Sequence, residues 1–381
     1  MPAAMFGGLP FSTFQLSRGL VRAGADVRVV TTDIDGAQRL SVTTDRWTSY
    51  DGIPVWYART RGGPLLYAPS ASRAISERMP LADCVINSGT LWSHIGFASW
   101  RAARRHGTPS LTYVRGLLDP WAFNFKPWRK RAYWHLVGRR LLRDSTVVVA
   151  LSESERRVLR TAHRVGRIEV IPNGAALEDA VLPRGVLEAR LPELSGRRYV
   201  LFLGRIHAKK GLDLLMEAMA QPAVEATDVA FVVAGPVDRE YAREWQQLLR
   251  RHPAGGRVIA PGAVEGELKA ALLQHAELFV LPSYSEGLPV AVLEALAAGC
   301  AVVVTRACNL PQVADARAGV VIEPDAGELA TALRTLLTDD PRRRAMAANA
   351  RALARREFDW DVIARRTLQL CREVARRSAP E

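Results

Sequence analysis

Short apolar runs recur along the first half of the chain, at Val27 to Thr31, Cys84 to Ile86, Ser110 to Val114, Thr146 to Ala150 and Ile168 to Ile171. Between them lie longer stretches in which apolar positions return every three or four residues, as over Ile95 to His106. Short runs bounded by turn residues predict buried strands, and the longer stretches predict amphipathic helices. Their alternation is that of a parallel, doubly wound sheet. After Ile171 the chain passes through Pro172-Asn173-Gly174 into a less periodic, proline-containing segment that ends near Gly196. A second series follows, with strands expected at Tyr199 to Leu203, Val229 to Ala234, Val258 to Ala260, Leu278 to Leu281 and Ala301 to Val304. Helices are expected between them, including Leu212 to Ala220 and Tyr241 to Arg251. The pattern thus divides the chain into an α/β domain over 1–175, a linker over 176–197 and a second α/β domain over 198–356, with a last helix in 357–381.

At 381 residues the chain is long enough for two cores of ordinary size. No apolar run reaches the roughly 20 residues needed to span a bilayer, and no secretory leader pattern is visible, so a cytoplasmic protein is expected. The four cysteines, Cys84, Cys300, Cys308 and Cys371, have no metal-ligand spacing and outline no disulfide framework. The net charge of +13 is unevenly spread. Between Phe125 and Arg143 stand seven Lys or Arg residues and no acid, interleaved with Trp128, Tyr133, Trp134 and Leu136. Such a stretch can lie on an anionic membrane surface, which would make the protein peripheral on the inner face of the cell membrane. It can equally be a solvated helix with its aromatics in the core. No motif of a nucleic-acid module accompanies the charge, so no nucleic-acid partner is expected.

The most informative string is SYSEGLPVAVLEALAAGCAVVVT, from Ser283 to Thr305. Apolar strands flank it, and a helix is expected to begin near Pro289, which leaves Glu286 in the preceding loop and Glu294 one to two turns inside the helix. The loop then lies at the carboxyl end of a parallel strand, where open α/β folds bind ligands. A helix N-terminus there favours a pyrophosphate, whereas two carboxylates accept hydrogen bonds from hydroxyls. A sugar joined to a nucleoside diphosphate combines both chemistries. A second string, GRIHAKKGLDLL from Gly204 to Leu215, follows the first strand of the second domain and sends Arg205 and Lys210 from a loop before a helix. Two cations can converge there on one diphosphate, although a solvated basic loop has the same spacing.

Together these strings resemble the donor-binding signature of the retaining glycosyltransferases of family 4. The resemblance implies the GT-B fold, two Rossmann-like doubly wound parallel-sheet domains facing a central cleft. By it, Arg205 and Lys210 bind the donor diphosphate and stabilise the leaving group, Glu286 accepts from the donor sugar and Glu294 from the ribose. Arg205, Lys210 and Glu286 are the implied catalytic residues, and Gly204, Ser285, Gly287 and Leu288 complete the implied donor site with Glu294. The opening GGLPFSTFQLSRGLVRAGADVRVVTT places Gly7 and Gly8 before a helix expected at about Phe11 to Ala23, in a loop that faces donor diphosphate and acceptor in the family. Pro172-Asn173-Gly174 matches the family's interdomain turn, and the terminal helix crosses back to the N-terminal domain. In the family a strand precedes the Gly-Gly loop, but here only Met1 to Phe6 do, so the expectation is a native start further upstream.

On the acceptor side, YVRGLLDPWAFNFKPW from Tyr113 to Trp128 resembles a subset of family 4 associated with surface polysaccharide assembly. Many relatives have a histidine in this loop where Arg115 stands. A guanidinium is not a neutral base near pH 7, so it is expected to position a phosphate or hydroxyl, and His94, one loop earlier, is the nearest substitute histidine. No His-Cys-Asp cluster has metal-ligand spacing. The expected co-substrate is a nucleotide sugar with no metal or other cofactor, and the expected acceptor is a saccharide or lipid-linked saccharide. The implied reaction is sugar transfer with retention, in polysaccharide or glycolipid biosynthesis. A nucleotide-sugar epimerase or hydrolase of similar fold, and a nonenzymatic membrane- or polyanion-binding protein, are the alternatives.

Overall fold

The computed structural model describes residues 8–36, 38–63, 65–118, 133–177 and 180–378. Gly7, residues 1–6 and the segment 119–132, which holds much of the acceptor-side string and the first part of the basic stretch, lie outside the described residues. The chain forms two compact units, Met1–Gly174 with Trp360–Glu381, and Ala175–Asp359.

The first unit runs α1 (Gly8–Arg22), β1 (Val29–Thr32), β2 (Trp47–Tyr50), β3 (Ile53–Ala58), α2 (Pro69–Arg78), β4 (Val85–Ser88), α3 (His94–His106), β5 (Ser110–Tyr113), β6 (Val147–Ala150), α4 (Glu153–Ala162) and β7 (Ile168–Val170). β4, β5, β6 and β7 form a parallel sheet in that order, while β1, β3 and β2 form a separate three-stranded sheet with β2 antiparallel to β3. With the short antiparallel pair Ile34–Asp35 and Gln38–Arg39, the described strands of this unit make three sheets, not the single one that the apolar runs suggest. The β2–β3 hairpin was not expected, because Thr48, Ser49 and Pro54 interrupt its apolar pattern. β5 and β6 are buried throughout, as strands covered on both faces must be. Ser93 and Ser152 cap α3 and α4 by accepting from the N–H groups of Gly96 and Glu155.

The second unit runs β8 (Arg198–Leu203), α5 (Leu212–Met219), β9 (Val229–Ala234), α6 (Ala242–Arg251), β10 (Val258–Gly262), α7 (Gly266–His275), β11 (Leu278–Leu281), α8 (Val290–Ala297), β12 (Val302–Thr305), β13 (Gly319–Ile322), α9 (Ala326–Thr338) and α10 (Asp340–Leu353). Its six strands are parallel in the order β10-β9-β8-β11-β12-β13. Sequence neighbours β8 and β9 lie on one side of a point where the order reverses, and β11 lies on the other. That point, between the carboxyl ends of β8 and β11, is the switch point of a doubly wound sheet. The segment read as a linker contains the helix Arg184–Arg190, whose Leu187 is fully buried; proline and charge hide its short apolar face.

The last helix, α11 (Trp360–Ser378), belongs to the first unit. A Cβ on Gly19 of α1 would come within 2.6 Å of Ala364 Cβ, so only glycine permits this approach. Arg22 Nε donates to Asp361 at 2.9 Å, and Tyr113 shares a 2.8 Å hydrogen bond with Thr367. The basic stretch is only partly described. In it Trp134, Leu141 and Leu142 are core residues, while Leu136, Arg139, Arg140 and Arg143 are exposed. No helix among the described residues is long and apolar enough to cross a membrane.

Candidate active site

The loop after β8 meets the loops after β11 and β9 because a glycine at each approach removes the side chain that would hold them apart. Gly211 has φ 67°, and a Cβ there would lie 2.0 Å from the Pro282 carbonyl oxygen. Gly235, with φ 145°, allows the same approach to the Gly204 carbonyl, where a Cβ would lie at 1.9 Å. The Tyr284 N–H then donates to the Lys209 carbonyl at 2.9 Å.

This register delivers Lys210 to Glu286. Lys210 Nζ donates to Glu286 Oε1 at 2.6 Å, and Ser283 Oγ donates to the same oxygen at 2.8 Å. The two charged side chains are 13% and 8% exposed, so the pair is nearly withdrawn from water. Lys210 also passes beside Gly204, where a Cβ would lie 3.9 Å from both its Cε and its Nζ. The Glu286 backbone is pinned separately. Its N–H donates to the Ala307 carbonyl at 3.1 Å, and its carbonyl accepts from Asn309 Nδ2 at 2.6 Å. Cys308 beneath the loop stays a thiol, because burial and then the nearby Glu286 carboxylate push its pKa up to about 12.

Pro289 caps α8 at its N-terminus instead of occupying its first helical position, and Glu294 lies inside the helix. There Glu294 Oε1 accepts from Lys269 Nζ of α7 at 2.7 Å. Glu294 therefore has its own cation, distinct from Lys210. Arg205 remains 59% exposed, with Nη1 3.7 Å from Asp238 Oδ2. Ser285 and Gly287 line the outer loop, and Leu288 is buried beneath it. Sequence reasoning missed Ser283, Lys269, Asp238 and Asn309. Only Ser283 had a local signal, a hydroxyl three residues before the carboxylate.

In the first unit Gly8 is the first residue of α1, not part of a loop before Phe11, because Pro10 is tolerated in a first turn. His94 opens α3. Its Nε2 lies 3.5 Å from Ser72 Oγ and its ring packs edge-on against Tyr67. Burial lowers its pKa. Arg115 lies elsewhere, at the end of β5, bonded to Ser12, Ser88 and Asn173. Among the described residues no three or more His, Cys, Asp or Glu side chains converge as metal ligands.

Residues 6–179 match the profile of Glycosyltransferase Family 4, and residues 186–353 match that of Glycosyl transferases group 1. The alpha-maltose-1-phosphate synthase of Mycolicibacterium smegmatis is 31% identical over 316 residues, covering 77% of this chain and 80% of that protein. This chain belongs to the family 4, group 1 glycosyltransferases. The glycosyltransferase is also 27% identical to the D-inositol 3-phosphate glycosyltransferase of Xylanimonas cellulosilytica, over 97% of this chain and 93% of the relative. Its fold is GT-B. Anabaena HepE, solved with UDP and glucose, superposes with a TM-score of 0.75 at 20% identity, over 96% of each chain.

Proposed function

We propose that this glycosyltransferase moves a sugar from a nucleoside-diphosphate sugar to an acceptor hydroxyl, with retention at the anomeric carbon and without a metal. The observation that carries this reading is the Lys210–Glu286 pair at the switch point of the second unit's sheet, with Arg205 exposed earlier on the loop that carries Lys210. Arg205 and Lys210 take up charge on the departing diphosphate, as preorganised cations do where water is excluded. Glu286 accepts from the donor sugar and Glu294 from the ribose. The donor phosphate assists removal of the acceptor proton. HepE binds UDP and glucose in a chain of the same fold, which supports a nucleotide-sugar donor.

The test is thermal unfolding with UDP, GDP, ADP and their sugar conjugates, repeated on Glu294→Ala. A ligand at 100 times its dissociation constant stabilises by about 2.7 kcal/mol. One nucleotide should raise the melting temperature of the native chain and lose most of that effect in the variant. No shift from any nucleotide would overturn the donor site. Turnover of the donor at full rate without an acceptor would favour the epimerase or hydrolase. Activity should survive EDTA.

The acceptor in this reading is a saccharide or lipid-linked saccharide used in surface polysaccharide or glycolipid synthesis, met by a cytoplasmic enzyme at the membrane face. Leu136, 68% exposed among Arg139, Arg140 and Arg143, supports membrane contact. Cosedimentation with anionic but not neutral vesicles is the expected result.

A further inference from the structure

Arg115 is a cation that forms no salt bridge with any described residue. It follows β5 at the carboxyl end of the first unit's four-stranded parallel sheet, with φ 54°. A non-glycine residue held there costs about 1–2 kcal/mol, and such strain gathers at functional positions. Its Nε donates to Ser88 Oγ at 2.9 Å, and its Nη1 donates to Ser12 Oγ at 2.9 Å and to Asn173 Oδ1. The guanidinium carbon lies 5.1 Å from the centre of the Tyr113 ring. All these oxygens are neutral. Glu155, whose charge acts on it, accepts from the Gly116 N–H on one oxygen and from the Leu151 N–H on the other, each at 2.6 Å. Nη2 makes no hydrogen bond to any described residue.

Burial of a charge without a counter-ion opposes folding. That burial pushes the Arg115 pKa down to about 10, with the Tyr113 and Glu155 charges opposing the shift, so the group is still cationic at neutral pH. Three neutral acceptors could be bridged by a neutral donor at less expense. The cation instead keeps the Nη2 N–H groups unused by any described residue, beside Ser12 in α1 and Ser88 at the end of β4. A guanidinium so fixed can present its remaining N–H groups to a phosphate oxygen.

We infer that Arg115 is a specificity-determining residue that receives, through Nη2, a phosphate group carried by the acceptor. The inference rests on the sugar-transfer reading for the word acceptor, but the phosphate contact itself does not. The phosphate can belong to a soluble sugar phosphate or to a prenyl-linked lipid, and the chemistry at Arg115 is the same.

The test measures binding of glucose 1-phosphate, farnesyl phosphate and, as the neutral control, glucose to the full-length protein. Each titration is made with the donor site saturated by the nucleoside diphosphate that binds best, so that a phosphate cannot read out at Arg205 and Lys210. At least one phosphate probe should bind saturably and glucose should not. Affinity for that probe should fall at least tenfold in R115Q and less in R115K, which keeps the charge but loses the fork. Nucleotide affinity should stay within threefold in both variants. Glucose 1-phosphate as the responding probe identifies a soluble acceptor, and farnesyl phosphate alone identifies a lipid one. Equal phosphate binding by native and R115Q protein, no phosphate binding by the native protein, or loss of nucleotide affinity in R115Q would each overturn the assignment. If R115Q fails to fold, R115K decides by the same comparison. If no nucleotide binds the native chain, the donor reading fails by itself, and the phosphate titrations on Lys210→Ala protein still decide the role of Arg115.

Discussion

Lys210 and Glu286 are 76 positions apart in the chain, yet their side chains meet at 2.6 Å. They meet because β8 and β11 are hydrogen-bonded neighbours, with Val200 opposite Leu278, so the loops that leave these strands start side by side. The pair neutralises itself at the point where a diphosphate is proposed to bind. Lys210 nevertheless has two further N–H groups to offer, and Glu286 keeps a second oxygen for a hydroxyl.

Removing Lys210 alone should cost both activity and stability. Lys210→Ala leaves a nearly buried carboxylate with Ser283 as its side-chain partner, which should destabilise the chain by about 3 kcal/mol. The double variant Lys210→Ala, Glu286→Ala should recover part of that loss while staying inactive. Urea unfolding beside transfer assays checks both statements, and an unchanged midpoint in Lys210→Ala would contradict the pairing.

Gly211→Ala should lower transfer by about two orders of magnitude, since small displacements of a positioning group are expensive. The new Cβ would need the Pro282 carbonyl, 2.0 Å away, to retreat, which draws the Lys210 loop from the Glu286 loop. The left-handed backbone adds roughly 1–2 kcal/mol of strain. Gly185→Ala is the control, with open space around the added methyl, and should be as stable and as active as the native chain. Equal activity in the two variants would show that the close approach does not matter.

Stability should fall on acidification below about pH 6.5. Burial lowers the pKa of His94, His163 and His207, with the neighbouring Arg139 adding to the effect on His163 and Asp238 opposing it on His207. A base whose pKa is lowered by folding binds more protons unfolded, so stability is full above the unfolded value near 6.5 and is lost as pH falls toward the folded values. His94→Gln should flatten part of the decline in urea midpoint between pH 7 and 5. An identical decline would mean that His94 takes up its proton without cost to the fold.

The apolar runs located most strands to within one or two residues, because a strand covered on both faces must be apolar along its whole length. Strands with one wet face were less legible. β2 escaped notice, as did β3, which is buried but interrupted by Pro54, and β13, and so did the helix Arg184–Arg190, which buries little more than Leu187. The site was legible as two strings with their charges, including Arg205, Lys210, Glu286 and Glu294. Its partners were not. Lys269 reaches Glu294 from the preceding helix, Asn309 holds the Glu286 carbonyl from the next loop, and no spacing in the chain announces either contact.

By itself the sequence determined which segments are buried and which loops carry the charges, since periodicity and turn residues act over a few positions. The tertiary structure alone decided which charge meets which. Lys210 pairs with Glu286 because the sheet order puts β11 beside β8, and Lys269 with Glu294 because α7 and α8, the helices before and after β11, pack together; both are properties of the whole packed unit. That Arg115 is held by neutral oxygens has the same kind of cause, since Ser12, Ser88 and Asn173 reach it from three distant segments and none of them carries a charge.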